Sequence, residues 1–172
     1  TVEGFVINGQ KPNFDEPKEL GLEGVAESKI RQALDLIKGS ELEGSVILVE
    51  DSGIFLDAFP EWPGAQSSDV EKEIGLEGII DRVNESGNSG AEYRAVAILS
   101  DGNQVWKSQG ICRGKISDYP RGSNGFGYDP IFIPEEGGGG TFGELGKEIK
   151  NQISHRKKVM QGLSNLLKSP SR

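Results

Sequence analysis

A short apolar run that stops at two acids is the feature that most limits the fold. The segment 45–49 contains the uninterrupted sequence VILV, and Glu50, Asp51, Ser52 and Gly53 follow it directly. A continuous apolar run of this length is typical of a strand buried on both faces. Since α/β sheets bind ligands at the carboxyl ends of their strands, the two acids are candidates for a site. Adjacent carboxylates repel unless a cation or proton joins them, and Mg²⁺ accepts such oxygen ligands. A polar strand exit without a ligand is the simpler alternative.

An amphipathic helix is predicted over 22–37, with Gly39 as its stop signal. The apolar residues that keep the 3.6-residue spacing are Leu22, Val25, Ala26, Ile30, Ala33, Leu34 and Ile37. Lys29 falls inside this apolar arc. It is either a side chain that snorkels at the edge of the face or a cation directed into a pocket.

The rest of the chain alternates strand and helix signals. Strands are predicted over 93–99 and 105–112, joined as a hairpin through Asp101 and Gly102, and a short strand is predicted over 130–134. The sequence EEGGGG that follows indicates a surface loop. A last helix over 154–167 would begin at Ser154 as N-cap and bury Val159, Leu163, Leu166 and Leu167. The class is α/β or α+β, with a long and mainly mixed sheet.

The composition limits which partners and which cellular compartment the sequence predicts. The 172 residues fit one domain, and no apolar run approaches the roughly 20 residues that cross a membrane. The net charge of -8 argues against nucleic acid as a partner, because such binding depends on clustered Lys and Arg. One cysteine, Cys112, cannot form an internal disulfide, which favours a reducing compartment such as the cytoplasm.

A basic segment contains the single histidine. His155 stands beside Arg156 in KNQISHRKK, five residues after Lys150. Cations at a helix N-terminus interact unfavourably with the helix dipole, so their presence here needs an explanation. A solvated helix start is one interpretation. The other is a site for a phosphate or for the carbonyl edge of a base.

Four stretches together resemble the inosine triphosphate pyrophosphatase family, also called the Ham1 or non-standard purine NTP pyrophosphatase family. They are LVEDSGIFLDAF with WPG after it, GKISDYPRGSNGFGYDPIFIP, TFGEL and KNQISHRKK, in that order and at family-like spacing. The resemblance runs from about Pro12 to the last predicted helix. Several independent motifs in register make a chance match an unsatisfactory explanation.

The resemblance implies a two-lobed α/β protein, ITPase-like, with flanking helices and a central cleft, assembled as a homodimer. It implies Mg²⁺-dependent hydrolysis of ITP, dITP and XTP to the monophosphate and pyrophosphate. Asp51 would be the catalytic base and a metal ligand, with Glu50 as a second metal ligand. Substrate contacts would fall on Lys29, Ser52, Phe126, Gly127, Tyr128, Asp129, Lys150, His155 and Arg156.

These residue types suit that chemistry. Magnesium held by Asp51 can neutralise the triphosphate and activate a water molecule for attack at the α-phosphorus. Protein donors that pair with a 6-oxygen would face the 6-amino group of adenine donor to donor, which rejects that base. The glycines of NGFGYDPIFIP allow the backbone to approach a base, and Phe126 and Tyr128 are candidate walls of the pocket. Asp129 would be a hydrogen-bond acceptor.

The chain also departs from the family pattern. Family members begin with a strand and an Asn-rich loop that carries a lysine, whereas this chain opens TVEGFVINGQKPNFDEP. Residues 1–172 are therefore expected to form a single domain without that strand and loop. Asn13 and Ile149 replace acids that are common in the family, with Asp15 or Glu16 as substitutes for the first. A catalytically weak nucleotide-binding relative is the alternative to an active pyrophosphatase.

Overall fold

In the part of the chain that the structure describes, five strands form one sheet: β1 (Ile47–Leu56), β2 (Phe59–Pro63), β3 (Gly90–Ser100), β4 (Val105–Ile116) and β5 (Phe132–Pro134). The structure is a computed structural model, and it describes residues 9–10 and 12–168. The strand order is β2-β1-β3-β4-β5. Each described strand pair is antiparallel, although a mixed sheet was expected. Tight connections such as the β3–β4 turn favour antiparallel neighbours, whereas parallel pairs need long crossovers.

Four α-helices lie in the described part of the chain: α1 (Gly21–Ile37), α2 (Ser67–Ser86), α3 (Lys147–Ile153) and α4 (His155–Lys168). None of the helices in this part is long and apolar enough to cross a membrane. Short 3₁₀ turns occur at Lys18–Leu20, Gly64–Gln66 and Glu135–Gly137. The α/β class with helices flanking a sheet is therefore confirmed.

Helices α1 and α4 cover opposite faces of the sheet. The α1 residues Leu22, Ala26, Ile30 and Ala33 pack with Val96 and Ile98 of β3, whereas Val159 and Leu163 of α4 pack with Ala95 and Ala97. Successive side chains of a strand point to alternate faces, so one strand serves both layers. A third apolar cluster joins α2 to β3, β4 and β5 around Tyr93, Phe132 and Phe142.

Several predicted elements are confirmed. Helix α1 covers the predicted helix 22–37, strands β3 and β4 cover 93–99 and 105–112, and β5 lies within 130–134. Helix α4 follows Ser154, whose Oγ accepts a hydrogen bond of 3.3 Å from the backbone N–H of Lys157, as an N-cap does. The expectation that the first strand and its loop are missing rests on residues 1–17, of which residues 1–8 and 11 lie outside the described residues.

Three predictions were wrong in detail. The strand that was expected to stop at residue 49 continues through the acids to Leu56, because its pairing with β3 continues over that whole length. The run is not buried on both faces, since Leu48 is 47% exposed. In α4, Leu166 and Leu167 are exposed although the spacing put them on the buried face, because the sheet lies only under the earlier turns of the helix.

Candidate active site

Three consecutive polar residues of β1 divide between the two faces of the sheet. Asp51 contacts Lys29 of α1, whereas Glu50 and Ser52 contact Arg156 of α4. This alternation follows from the extended backbone, which pairs with β3 on both sides of Asp51. One short stretch of strand therefore supplies polar groups to both helix layers.

On the α1 side, Lys29 lies between two carboxylates. Its Nζ is 2.7 Å from Asp51 Oδ1 and 2.7 Å from Glu16 Oε1. The side chains of Lys29 and Asp51 are 16% and 15% exposed. The structure favours an inward-pointing cation over a snorkelling side chain, but Lys29 contacts two carboxylates and is not among the residues that line the cavity beside Ser52. Glu16 also lies 4.0 Å from Lys18 Nζ, and Lys18 in turn pairs with Asp69.

The pKa values of this pair show how burial and pairing compete. Burial alone would lower the pKa of Lys29, but its hydrogen bonds to Asp51 and Glu16 outweigh burial and raise that pKa. Burial also raises the pKa of Asp51, and the bond from Lys29 offsets only part of this rise. Repulsion from Glu16 and Glu50 acts in the same direction as burial. Asp51 is therefore a stronger base than an exposed aspartate.

On the α4 side, Arg156 links three residues. Its Nε donates to Glu50 Oε1 at 3.2 Å, and its Nη2 donates to Ser52 Oγ at 3.1 Å. The guanidinium carbon also lies 5.2 Å from the centre of the Phe126 ring, where a cation–π interaction is favourable. Arg156 thus connects β1 to the 124–129 segment, which was predicted to line the pocket.

The structure does not bring Glu50 and Asp51 together around one point. Their carboxylates face different helices and pair with different cations. Within residues 9–10 and 12–168, no group of three or more His, Cys, Asp or Glu side chains is arranged to hold a metal ion. Glu16, which the sequence offered as a substitute ligand, is the carboxylate that shares Lys29 with Asp51.

A cavity of about 420 Å³ lies beside Ser52, between β1, the 124–129 segment and the two C-terminal helices. Pockets that hold small molecules are of this size. Six predicted substrate-binding residues line it: Ser52, Phe126, Asp129, Lys150, His155 and Arg156. The structure therefore brings together residues that lie more than one hundred positions apart in the chain.

Asp129 organises one wall of this cavity. Its carboxylate is 2% exposed and accepts hydrogen bonds from the Phe126 backbone N–H at 2.8 Å, from Lys150 Nζ and from Tyr93 Oη at 3.5 Å. Gly125 has φ of 81°, and a Cβ at that position would overlap the Asp129 carboxylate. The glycine before Phe126 is therefore needed for this close approach.

Lys150 connects Asp129 to two aromatic rings. Its Nζ lies 4.9 Å from the centre of the Phe126 ring and 5.2 Å from that of Phe142. Phe126 itself is 65% exposed, so its ring forms an open edge of the cavity. An exposed ring beside two cations is suited to stack on a flat, electron-rich ligand.

His155 is a buried polar residue of the cavity wall. It is 5% exposed, and burial, with help from Arg156 and Lys150, lowers its pKa to about 3. The imidazole is therefore neutral at pH 7. Among the residues that the structure describes, its Nδ1 has no hydrogen-bond partner. A buried polar atom of this kind costs free energy until a ligand or water pairs with it.

Two predicted pocket residues lie elsewhere. The Tyr128 ring is buried in the apolar core, and its Oη donates to the Ser67 carbonyl oxygen at 2.8 Å. Gly127 faces the side chain of Glu71. Neither is among the residues that line the cavity. Gly127 and Tyr128 therefore support the segment that carries Asp129 instead of lining the pocket.

Sequence reasoning missed other residues of the cavity wall: Tyr93, Asn124, Phe142, Leu145, Lys147 and Asn151. Tyr93 carried a usable signal, because a polar aromatic residue within the mainly apolar run YRAVAIL needs a partner for its hydroxyl. Phe142 and Leu145 belong to TFGEL, Asn124 to NGFGYDPIFIP and Asn151 to KNQISHRKK, and none of them was assigned a role. Lys147 gave no signal at its position.

Comparison with known proteins assigns the chain to a family. The Ham1 family profile matches residues 3–166. The dITP/XTP pyrophosphatase of Thermococcus kodakarensis is 37% identical over 165 residues, which cover 96% of this chain and 85% of the relative. That of Pyrobaculum aerophilum is 40% identical over 120 residues, 70% of this chain and 64% of the relative. The chain thus spans less than two thirds of the second relative's length.

A solved structure agrees with this assignment. A HAM1 protein from Coxiella burnetii matches with a TM-score of 0.75 and 28% identity, over 91% of this chain and 80% of that one. The chain belongs to the Ham1 family.

Proposed function

We propose that the chain is a nucleoside triphosphate pyrophosphatase that hydrolyses ITP, dITP and XTP to the monophosphate and pyrophosphate. The observation that carries this proposal is the position of Ser52. It lines the cavity and accepts from Arg156, while its chain neighbour Asp51 belongs to the acidic group around Lys29. A base pocket and a charged group for phosphate chemistry thus lie on opposite faces of one strand. Among the described strands, residues 50–52 of β1 pair with β3 alone, so a triphosphate would reach from one group to the other around the open edge of β1. The names of the relatives, dITP/XTP pyrophosphatases, support the same activity.

The cavity residues fit a 6-oxo purine. Arg156 has only donors, and neutral His155 has one donor and one acceptor nitrogen. A 6-oxygen accepts from either residue, whereas the 6-amino group of adenine would face Arg156 donor to donor. Phe126 offers its exposed ring to the base. A site whose buried polar groups remain unpaired with the wrong base rejects that base strongly.

Asp51 fits the role of general base. A water molecule attacks the α-phosphorus, Asp51 accepts its proton, and the bond from the α-phosphorus to the bridging oxygen breaks to release pyrophosphate. The raised pKa of Asp51 favours this proton transfer. Lys29 holds the carboxylate in place through Oδ1 and adds positive charge near the phosphates.

Mg²⁺ is the proposed cofactor of this hydrolysis. The group around Lys29 supplies oxygen ligands of the type that Mg²⁺ takes, because the carboxylates of Asp51 and Glu16 converge on the Lys29 ammonium, with Lys18 Nζ 4.0 Å from the second Glu16 oxygen. Mg²⁺ binds through one or two carboxylates and completes its shell with water and substrate phosphates. Asp51 and Glu16 would hold it, rather than Asp51 and Glu50, which face opposite helices. When bound, the ion supplies charge for the triphosphate and lowers the pKa of a bound water.

The proposal also includes the assembly and the location of the protein, which are a homodimer and the cytoplasm. The family resemblance is the basis for the homodimer, and the single buried Cys112 fits a reducing compartment. Sedimentation of the purified chain at several concentrations tests the assembly.

Product analysis tests the activity. The purified chain is incubated with ITP, XTP or ATP, with and without Mg²⁺, and the products are separated by anion-exchange chromatography. The expected result is monophosphate and pyrophosphate in equal amounts from ITP and XTP when Mg²⁺ is present. Release of inorganic phosphate and a diphosphate, or no release at all, would overturn the proposal. Binding of ITP without turnover would favour the catalytically weak alternative.

A further inference from the structure

Tyr93 connects two parts of the cavity that the proposed function uses separately. The residue lies in β3, its side chain is buried, and it lines the cavity. Its ring stacks on the His155 imidazole with 4.5 Å between the ring centres and 10° between the planes. Its hydroxyl donates to Asp129 Oδ1 at 3.5 Å.

We propose that Tyr93 is a positioning residue that holds the His155 imidazole in the plane required to read a purine base. This inference rests on the proposed function, in which His155 contacts the base. Tyr93 acts through His155 and Asp129 and takes no part in the reaction at phosphorus.

The stacking geometry supports this role because, among the described residues, no hydrogen bond to Nδ1 fixes the orientation of the His155 ring. In the described part of the chain, its Nδ1 has no hydrogen-bond partner. Rotation about the Cβ–Cγ bond would therefore break no hydrogen bond of that atom. A nearly parallel ring at 4.5 Å opposes the rotation, because the imidazole would lose contact area and collide with the phenol.

The position of Tyr93 itself is fixed from three sides. Phe132 packs against it edge to face at 4.8 Å and 69°, and Phe142 lies 6.0 Å away. Burial and the charge of Asp129 raise the pKa of Tyr93, so its hydroxyl stays a donor at neutral pH. The ring under His155 is thus anchored by core contacts and by the same carboxylate that holds Lys150.

This arrangement predicts that the ring of Tyr93 matters more than its hydroxyl. Tyr93→Phe keeps the stacked surface and loses only one long hydrogen bond. Tyr93→Leu keeps an apolar side chain in the core but removes the flat surface. Tyr119, which is 62% exposed and lies outside the cavity wall, offers a matched control in Tyr119→Leu.

The first test reads His155 directly and needs no turnover. Because the chain has one histidine, its imidazole protons give single, assignable NMR signals. We expect these signals to be shifted upfield by the Tyr93 ring in the wild-type protein and in Tyr93→Phe, and to lose the shift in Tyr93→Leu. A wild-type spectrum without the upfield shift would overturn the proposal, even if Tyr93→Leu failed to fold.

The second test reads base recognition. We expect Tyr93→Leu to raise KM for ITP about tenfold and to reduce the preference for ITP over ATP by a similar factor, with kcat changed much less. Tyr93→Phe should restore both within about threefold, as expected for loss of one weak hydrogen bond. A folded Tyr93→Leu with wild-type KM and preference would overturn the proposal. If the wild-type protein hydrolyses neither ITP nor XTP, the proposed function fails, and the NMR result still decides whether Tyr93 positions His155.

Discussion

Asp51 and Ser52 are adjacent in the chain, yet they face opposite sides of the sheet. Asp51 bonds Lys29 of α1, and Ser52 bonds Arg156 of α4 beside the cavity. The alternation of a single strand thus places the proposed group for phosphate chemistry and the proposed base pocket on neighbouring residues of β1, on its two faces.

Asp51→Asn tests the charged group. The substitution keeps the shape of the side chain and removes its ability to accept a proton, so kcat for ITP should fall at least about hundredfold. Pyrophosphate release under saturating ITP measures this loss, and circular dichroism checks the fold. Asp35→Asn, on the exposed end of α1, is the control and should keep wild-type turnover. Turnover by Asp51→Asn at the wild-type rate would remove Asp51 from the role of base.

Lys29→Met tests the ion pairs between α1 and β1. Removal of the ammonium leaves Asp51 and Glu16 without their shared cation, and the free energy of unfolding should fall by about 2 kcal/mol, less than for a fully buried pair because the group is partly exposed. Urea denaturation without metal measures this change. Added Mg²⁺ should restore more stability to Lys29→Met than it adds to the wild-type protein.

The lysine at the C-cap of the same helix gives the comparison. Lys38→Met breaks an exposed pair with Asp35 and should change stability little, with or without Mg²⁺. Equal losses of stability in the two variants would show that the Lys29 pairs stabilise the protein no more than an exposed ion pair does. An equal response of Lys29→Met and wild type to Mg²⁺ would argue against metal binding by Asp51 and Glu16.

Acid should destabilise the protein through His155. Its pKa falls from 6.5 in the unfolded chain to about 3 in the fold, so the unfolded state binds the extra proton between these values. The stability that depends on neutral His155 is therefore fully present above about pH 6.5 and is lost as the pH falls toward 3. Between pH 7 and pH 5, the loss attributable to this one group should be about 2 kcal/mol.

His155→Phe isolates that contribution, because phenylalanine keeps a ring on Tyr93 and cannot be protonated. Urea denaturation at both pH values should show a loss about 2 kcal/mol smaller for the variant than for the wild-type protein. Identical pH dependence in the two proteins would mean that His155 is not held neutral by burial.

Gly110→Ala tests how α4 is held against the sheet. A Cβ at Gly110 would overlap the His155 carbonyl oxygen and the Val159 backbone nitrogen, so the start of α4 must move away from β4. We expect a loss of stability of about 1–3 kcal/mol and weaker ITP binding, because His155 moves with the helix. Gly146→Ala, where a Cβ meets open space, is the control for unfolding and calorimetric measurements. Unchanged ITP affinity in Gly110→Ala would contradict the link between this contact and the cavity.

The sequence predicts best the elements whose apolar pattern is regular. Helix α1 keeps its 3.6-residue spacing over its whole length, and its limits agree with prediction to within one residue. Helix α2 was missed because its two parts meet at Gly75, where the backbone leaves helical geometry and interrupts the spacing. Strand β2 and helix α3 are short and have little periodicity to recognise.

The site shows a different limit. The family motifs indicated which residues gather, but they did not indicate on which face of the sheet each one lies. Had β1 been predicted to continue past residue 49, the period of two would have separated Glu50 from Asp51. Tyr93 and Tyr128 illustrate the converse problem, since aromatic residues suit both cores and pockets. Only the packing around them decides between these uses.

The ratio of kcat/KM for ITP to that for ATP, measured with Mg²⁺, tests the central claim most directly. The account requires one site that joins a 6-oxo base pocket to a group that hydrolyses triphosphate. It predicts a ratio of about one hundred or more, with pyrophosphate as product, because adenine leaves the donors of the cavity unpaired. Equal values for the two nucleotides, or values that do not depend on Arg156 and His155, would contradict it.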